Sequence, residues 1–136
     1  MKYRVAEGPD DYMECHALMR AEGLEPIEIA FPTIMAVDDS DSIVGFLGTI
    51  PDREMVMAGP LVISSEGPPR PFTARQLGAM YDRAMRNMQI SSYVFGIAKN
   101  ASSGLIRAIE AMGMTSYAED EDHTYYIRRL DETSWN

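Results

Sequence analysis

The stretch Val94-Phe95-Gly96-Ile97-Ala98-Lys99-Asn100, with its continuation through Ser102-Ser103 to Ile109-Glu110-Ala111-Met112-Gly113-Met114, governs how the rest of the chain is read. Tyr93 to Ala98 is rich in aromatic and β-branched residues, which pack well on a pleated surface, and predicts a strand. Ala101 to Met112 sets Leu105, Ile106, Ile109 and Met112 on one side at helical spacing, and Gly113 can cap the end. Downstream, Tyr117 to Glu119 and Thr124 to Arg129 predict a closing antiparallel pair around an acidic turn, Glu119 to Asp122. Upstream, Leu77, Met80, Tyr81, Ala84, Met85 and Met88 form the apolar face of an amphipathic helix, preceded by the stiff loop Ser65 to Pro71.

Before that loop, Glu54 to Ser64 is a strand candidate interrupted by Gly59-Pro60, a pair that signals a bulge, an edge or a bend. Thr33 to Val37 and Ile43 to Thr49 flank the turn formers Asp38 to Ser42 and predict a hairpin. Leu24 to Pro32 is a connection with room for a turn of helix. Tyr12, Cys15, Leu18 and Met19 recur at helical spacing after Pro9, with Asp10 and Asp11 at the positive end of that helix. Lys2 to Ala6 is a first strand. The order is strand, helix, three strands, helix, strand, helix, two strands. A helix between strands implies at least one parallel pairing, and the hairpins imply antiparallel neighbours. The expected fold class is mixed α/β (α+β): a mostly antiparallel sheet of about six to seven strands with helices on both faces.

Composition bounds the function. A chain of 136 residues fits one domain, expected over residues 1–130, with 131–136 as a C-terminal tail holding Trp135. No apolar run approaches the roughly 20 residues that cross a bilayer, and the N-terminus carries no secretory pattern, so a cytoplasmic protein is expected. Twenty-one acidic against twelve basic residues give a net charge of -9, which repels phosphodiester backbones and anionic lipid. Neither nucleic acid nor a membrane is an expected partner. The single cysteine, Cys15, cannot form an internal disulfide and reads as a buried structural thiol; no Cys/His metal pattern is present. The methionines Met80, Met85, Met88 and Met112 read as core filling.

The strand, Asn, helix and Gly ending of Val94 to Met114, together with a hairpin running from Val37 through Ile43-Val44-Gly45-Phe46-Leu47-Gly48, resembles the GNAT superfamily of acyl-CoA-dependent N-acyltransferases along nearly the whole chain. A weaker likeness to small acyltransferase-like proteins of tailed bacteriophages runs from the Pro-rich loop to Gly113, which would place the protein in a host cytoplasm. The resemblance implies a V-shaped gap between the strand Glu54 to Ser64 and the strand Tyr93 to Ala98 that admits the pantetheine arm of acetyl-CoA or another acyl-CoA. Backbone groups near Leu61, Val62, Ile63 and Ser64 would pair with that arm like an added strand. The implied cosubstrate is acyl-CoA, the acceptor an amine, and no metal is required.

The family binds pyrophosphate at a loop of pattern Arg/Gln-x-x-Gly-x-Gly/Ala, where backbone N–H groups approach phosphate oxygens. Here Arg70-Pro71-Phe72-Thr73-Ala74-Arg75 keeps the leading Arg but sets Thr73 and Arg75 where small residues belong. Arg70 and Arg75 could bind phosphate through their guanidinium groups, with Thr73 donating a hydroxyl hydrogen bond; alternatively Thr73 caps the helix and both arginines are solvated. Asn100 is carried over as a residue that bonds pantetheine or water, or caps the next helix.

Acyl transfer needs a deprotonated amine, a polarised thioester and a proton for the departing thiolate. The family's general-acid Tyr, four residues before the terminal Gly, is Ile109 here. Substitutes are Ser102, Ser103 and Tyr117; base candidates are Glu54, Glu66 and His123, with direct attack lacking a protein base also open. His123 in its acidic turn, like His16 in the first helix, reads as a solvated residue. These departures leave a second expectation, a GNAT-fold binding or structural module without catalysis, and a third, a homodimer paired through the strands Tyr117 to Leu130, where an exposed edge with Tyr125, Tyr126 and Ile127 invites partners.

Overall fold

Alternation of side chains along the central strands builds two cores, one on each face of a single sheet. The computed structural model describes residues 1–51, 53–66 and 69–130, so the 131–136 tail and Trp135 lie outside the described residues. The elements are β1 (Lys2–Val5), α1 (Gly8–Ala21), β2 (Ala30–Val37), β3 (Ile43–Ile50), β4 (Met57–Ile63), α2 (Arg70–Asn87), β5 (Ser92–Ala98), α3 (Ser103–Ala111), β6 (Thr115–Glu119) and β7 (His123–Arg129). Seven strands form one sheet in the order β1-β2-β3-β4-β5-β7-β6. Every neighbouring pair is antiparallel except β4 with β5. The expected fold class and element order hold.

On β2 the period of two sends Ile34 and Ala36 toward α2 and α3, and Met35 and Val37 toward Cys15, Leu18 and Met19 of α1. Strands covered on both faces lose the apolar-polar alternation of a half-exposed sheet, and Pro32 to Val37 is buried throughout. Cys15 is fully buried, and burial pushes its thiol up to about 12, which makes it an inert packing group. Met88 departs from the expected methionine stripe: α2 ends at Asn87, and Met88 is left 44% exposed. His16 is not simply solvated, since its Nε2 lies 2.9 Å from the Ile27 carbonyl and ties α1 to the following connection.

Two polar assemblies fix the helices. Arg4 donates to both carboxylate oxygens of Asp11 at 2.7 and 2.9 Å, and the Glu7 N–H donates to Asp11 Oδ2 at 2.7 Å, joining β1 to the start of α1. On the other face Tyr93 donates to Asp82, whose second oxygen accepts from Arg128 Nε at 3.0 Å. Tyr81 meets Tyr93 edge-on at 4.9 Å and shares a 2.7 Å hydrogen bond with Thr49, which donates to the Pro32 carbonyl. Burial raises both phenols, Tyr81 to about 12.

Pairing across subunits through Tyr125, Tyr126 and Ile127 is not open to this sheet. Those residues belong to β7, which is hydrogen-bonded to β5 on one side and β6 on the other, so of the two closing strands it is β6 that presents an outer edge.

The Arg4 hydrogen bonds hold the Asp11 carboxyl below the usual carboxylate range. A depressed folded-state value means a contribution present above the unfolded value and lost as pH falls through the folded one. Asp11→Asn should cost about 1–2 kcal/mol at pH 7. The gap to the parent should close as pH drops below about 4; urea melts at pH 7 and pH 3 measure it.

Candidate active site

The parallel ladder between β4 and β5 consists of two registered pairs, Met57↔Val94 and Ala58↔Phe95. It stops there for a covalent reason: Pro60 has no N–H to donate, and Gly59 adopts φ +137°, a conformation that favours glycine. On the other side of β4, Leu47 pairs with Leu61 and Thr49 with Ala58, so Gly59 and Pro60 together oppose Gly48. This is a bulge on β4, and it turns the strand away from β5.

Beyond the bulge, the Ser64 N–H donates to the Val44 carbonyl at 2.8 Å, and the Val62 carbonyl also faces β3, 3.1 Å from where a Cβ on Gly45 would sit. Alternation of an antiparallel ladder then directs the N–H and C=O of Leu61 and Ile63 into the gap. Of the four expected backbone partners, Leu61 and Ile63 present free amides to the gap, whereas Val62 and Ser64 are turned to β3. The two open positions are about 6.6 Å apart along the strand.

The gap is a cavity of about 480 Å³ walled by Met57 to Leu61 on one side and Phe95 to Ala98 on the other, with Leu24, Ile50, Ala101, Leu105, His123 and Tyr125 completing it. A second hollow of about 230 Å³ shares Leu24, Leu61 and Leu105 and continues along β4 to Val62, Ile63, Glu22 and Arg70. The two form one groove from the bulge to the first residue of α2.

The loop residues expected to hold phosphate are not brought together. Pro69 and Pro71 start α2 early, so Thr73 lies a full turn inside the helix, fully buried, with its hydroxyl donating to the Pro69 carbonyl at 3.3 Å. It is neither an N-cap nor a phosphate donor. Ala74 is buried beside it, and Arg75 is exposed on the body of α2. Arg70 lines the groove.

Asn100 sits in the exposed turn after β5 and does not cap α3; Ser102 does, its hydroxyl accepting from the Leu105 N–H at 3.2 Å. Ser103 is exposed at the start of α3 and Glu66 in the loop after β4, where its N–H donates to the Ser64 hydroxyl; neither lines the groove. Ile109 is fully buried in the core, and the α3 side chain at the gap is Leu105, one turn earlier. Glu54 precedes β4 rather than starting it. It meets Tyr117 in a separate hollow of about 350 Å³ with Arg53, Met55, Met57 and Val94, which joins the gap at Met57.

Tyr125, read from sequence as an edge-strand aromatic, is the hydroxyl-bearing side chain among the described residues that line the gap. Its ring lies over Gly96, where a Cβ would stand 2.9 Å from Cε1, and stacks at 6.1 Å on His123. The Tyr125 hydroxyl donates to Asp120 Oδ2 at 2.7 Å, and this bond pushes the phenol up from its ordinary range. The same bond, with the Asp122 and His123 N–H groups, holds the exposed Asp120 carboxyl down at about 2. His123 Nδ1 stands 3.8 Å from Asp120 Oδ1. The arrangement offers a neutral proton donor, an imidazole and a carboxylate at one end of a groove whose other end carries a guanidinium. The sequence signal that could have found it is Gly96, because a glycine inside a strand marks a close approach.

No protein-family model matches this sequence, and no curated protein matches it significantly. Solved structures do match in shape. An aminoglycoside 6'-acetyltransferase type Ii aligns over 98% of this chain and 99% of its own, with a TM-score of 0.75 and 16% identity. A spermidine N-acetyltransferase from Vibrio cholerae aligns over 96% of this chain and 95% of its own, at TM-score 0.73 and 11% identity. A GNAT family N-acetyltransferase from Escherichia coli in complex with CoA aligns over 95% of this chain and 81% of its own, at TM-score 0.67 and 17% identity. The chain has the GNAT acetyltransferase fold. The likeness to phage proteins finds no support in these structures. Among the described residues no three His, Cys, Asp or Glu side chains stand close enough to hold a metal ion, and no helix is long and apolar enough to cross a membrane.

Gly96→Ala should drive its new methyl into the Tyr125 ring and cost about 1–3 kcal/mol. In a Tyr125→Ala background the same change should cost clearly less. Urea melts of the four proteins measure the coupling, and equal costs in both backgrounds would show that the ring does not rest there.

Proposed function

We propose that residues 1–130 form an N-acyltransferase domain that moves an acyl group, acetyl or a close relative, from acyl-CoA to a primary amine by direct attack. The observation that carries the reading is the bulge at Gly59-Pro60, which leaves the Leu61 and Ile63 amides unpaired along the groove between β4 and β5. Two exposed strand amides about 6.6 Å apart can pair with the two amides of a pantetheine arm as an added strand would. The arm then lies between β4 and β5 with its thioester near Gly96 and Tyr125. Structures of the same fold include an aminoglycoside 6'-N-acetyltransferase and a GNAT family N-acetyltransferase in complex with CoA, and a spermidine N-acetyltransferase, which supports the same chemistry for this chain.

In the reaction the acceptor nitrogen forms a bond to the acyl carbon and the carbon–sulfur bond breaks. The surplus proton on nitrogen leaves to solvent or to His123; the bond to Asp120 keeps Tyr125 protonated until the thiolate departs, when the phenol hydrogen turns from Asp120 to the sulfur and the phenolate then takes a proton from solvent. The acceptor enters through the adjoining hollow at Arg53, Glu54 and Tyr117, where the Glu54 carboxylate can accept from its nitrogen. The cytoplasm is the proposed site of the reaction.

A second reading, a GNAT-fold binding module without catalysis, is favoured by one observation: α3 presents Leu105 to the gap and keeps Ile109 in the core, so it supplies no hydroxyl there.

Titration calorimetry with CoA and acetyl-CoA, followed by thiol release in a screen of primary amines, separates the two. The enzyme binds both ligands in the micromolar range and releases thiol with some amine; Tyr125→Phe then lowers kcat by about 10²-fold with KM little changed. Binding without thiol release from any amine would select the module.

A further inference from the structure

The cation end of the groove is already occupied by the protein's own carboxylate. Glu22 is the C-cap of α1, and its side chain, 17% exposed, reaches across to the loop after β4. Oε1 accepts from the Ser65 N–H at 3.2 Å, Oε2 accepts from the Ser65 hydroxyl at 3.3 Å, and Arg70 stands 3.6 Å from Oε1. Among the described residues lining the two joined hollows, Arg70 is the only arginine or lysine. Any anionic group carried along the groove therefore ends at these donors. Prolines at positions 69 and 71 remove two further N–H groups from the same turn.

We propose that Glu22 is a specificity-determining residue of this groove: an acyl donor with a diphosphate must displace its carboxylate from Ser65 and Arg70, whereas a phosphate-free acyl-pantetheine need not. The proposal rests on the acyl-pantetheine reading above. Glu22 is suited to being displaced. It sits at a helix C-terminus, where the dipole disfavours an anion, its three contacts are long, and Ser65 and Arg70 are largely exposed. The cost of displacing it is subtracted from the diphosphate contact alone, so the strand-like pairing at Leu61 and Ile63 carries more of the selection than phosphate does. An approaching diphosphate also meets like-charge repulsion from Glu22 until the side chain swings out.

The test is calorimetry of the parent, Glu22→Gln and Glu22→Ala with two probes, CoA and pantetheine. Glu22→Gln keeps the length of the side chain and removes its charge. Both variants should bind CoA at least about fivefold more tightly than the parent while pantetheine affinity stays within about twofold. If CoA binding is unchanged or weaker in both variants while pantetheine still binds, Glu22 is only a tie between α1 and the loop, and the proposal is overturned with the acyl-pantetheine reading intact. If both probes tighten or weaken together, the effect is general and the proposal again fails. If neither probe binds any of the three proteins, the acyl-pantetheine reading itself falls.

Discussion

The missing N–H of Pro60 is the constraint on which this structure turns. A parallel pair of strands continues only while each residue can supply its donor, and β4 and β5 run together for two registered pairs before that supply fails. Gly59 absorbs the resulting bend at φ +137°, and the extra residue is taken up against Gly48 on the β3 side, so the sheet stays continuous across β3 and β4 while it opens between β4 and β5. A closed ladder here would leave the Leu61 and Ile63 amides satisfied and the interior filled. The bulge trades two strand pairings for a groove with unpaired backbone along one wall.

An opening in the middle of a sheet needs support on its flanks. The strands on either side are held through α2: Tyr81 bonds to Thr49 of β3, while Asp82, next in sequence, accepts from Tyr93 of β5 and Arg128 of β7. Consecutive helix residues thus reach opposite sides of the gap. Because the Tyr81 and Tyr93 hydroxyls are buried, each is costly to leave unpaired, and the geometry of the flanks is correspondingly well specified. The cleft sits between two firmly tied halves of one sheet.

The element order was legible because it rests on local periodicity: Cys15, Leu18 and Met19, or Leu77, Tyr81 and Met85, show a helical face without any knowledge of the partner. The Gly59-Pro60 interruption was legible for the same reason, since its cause is covalent. Thr73 was misplaced because the stretch Pro69-Arg70-Pro71 looks like loop, yet proline suits a first helical turn and α2 starts at Arg70, three residues before that threonine. Glu54 failed as a strand residue because β4 begins only at Met57, where pairing with β5 becomes possible. Tyr125 escaped because its place at the gap depends on the register Gly96↔Tyr125, set by two strands 29 positions apart in the chain and invisible to periodicity. Site residues joined by register are the ones a single sequence hides.

Charge completes the account of how such a groove selects a ligand. With a net charge of -9, the long-range field of the protein opposes any polyanion, and among the described residues the groove answers with one guanidinium, Arg70, which is already paired to Glu22. Long-range attraction therefore contributes little to holding a CoA-like molecule here. Backbone pairing along β4 and apolar contact with Leu61, Leu105, Phe95 and Ile97 must supply the affinity, and both act only once the arm lies within the gap. Under the proposed function, the acidic turn Glu119 to Asp122 would work in the opposite sense at the far end of the groove, where the same field would draw a cationic acceptor toward Tyr125 and His123. Under the proposed acyl transfer, repulsion of a donor's phosphates and attraction of an acceptor's ammonium would arise from one charge distribution. Strand pairing does not depend on charge, so the first would be tolerated, and the second would need no further residue.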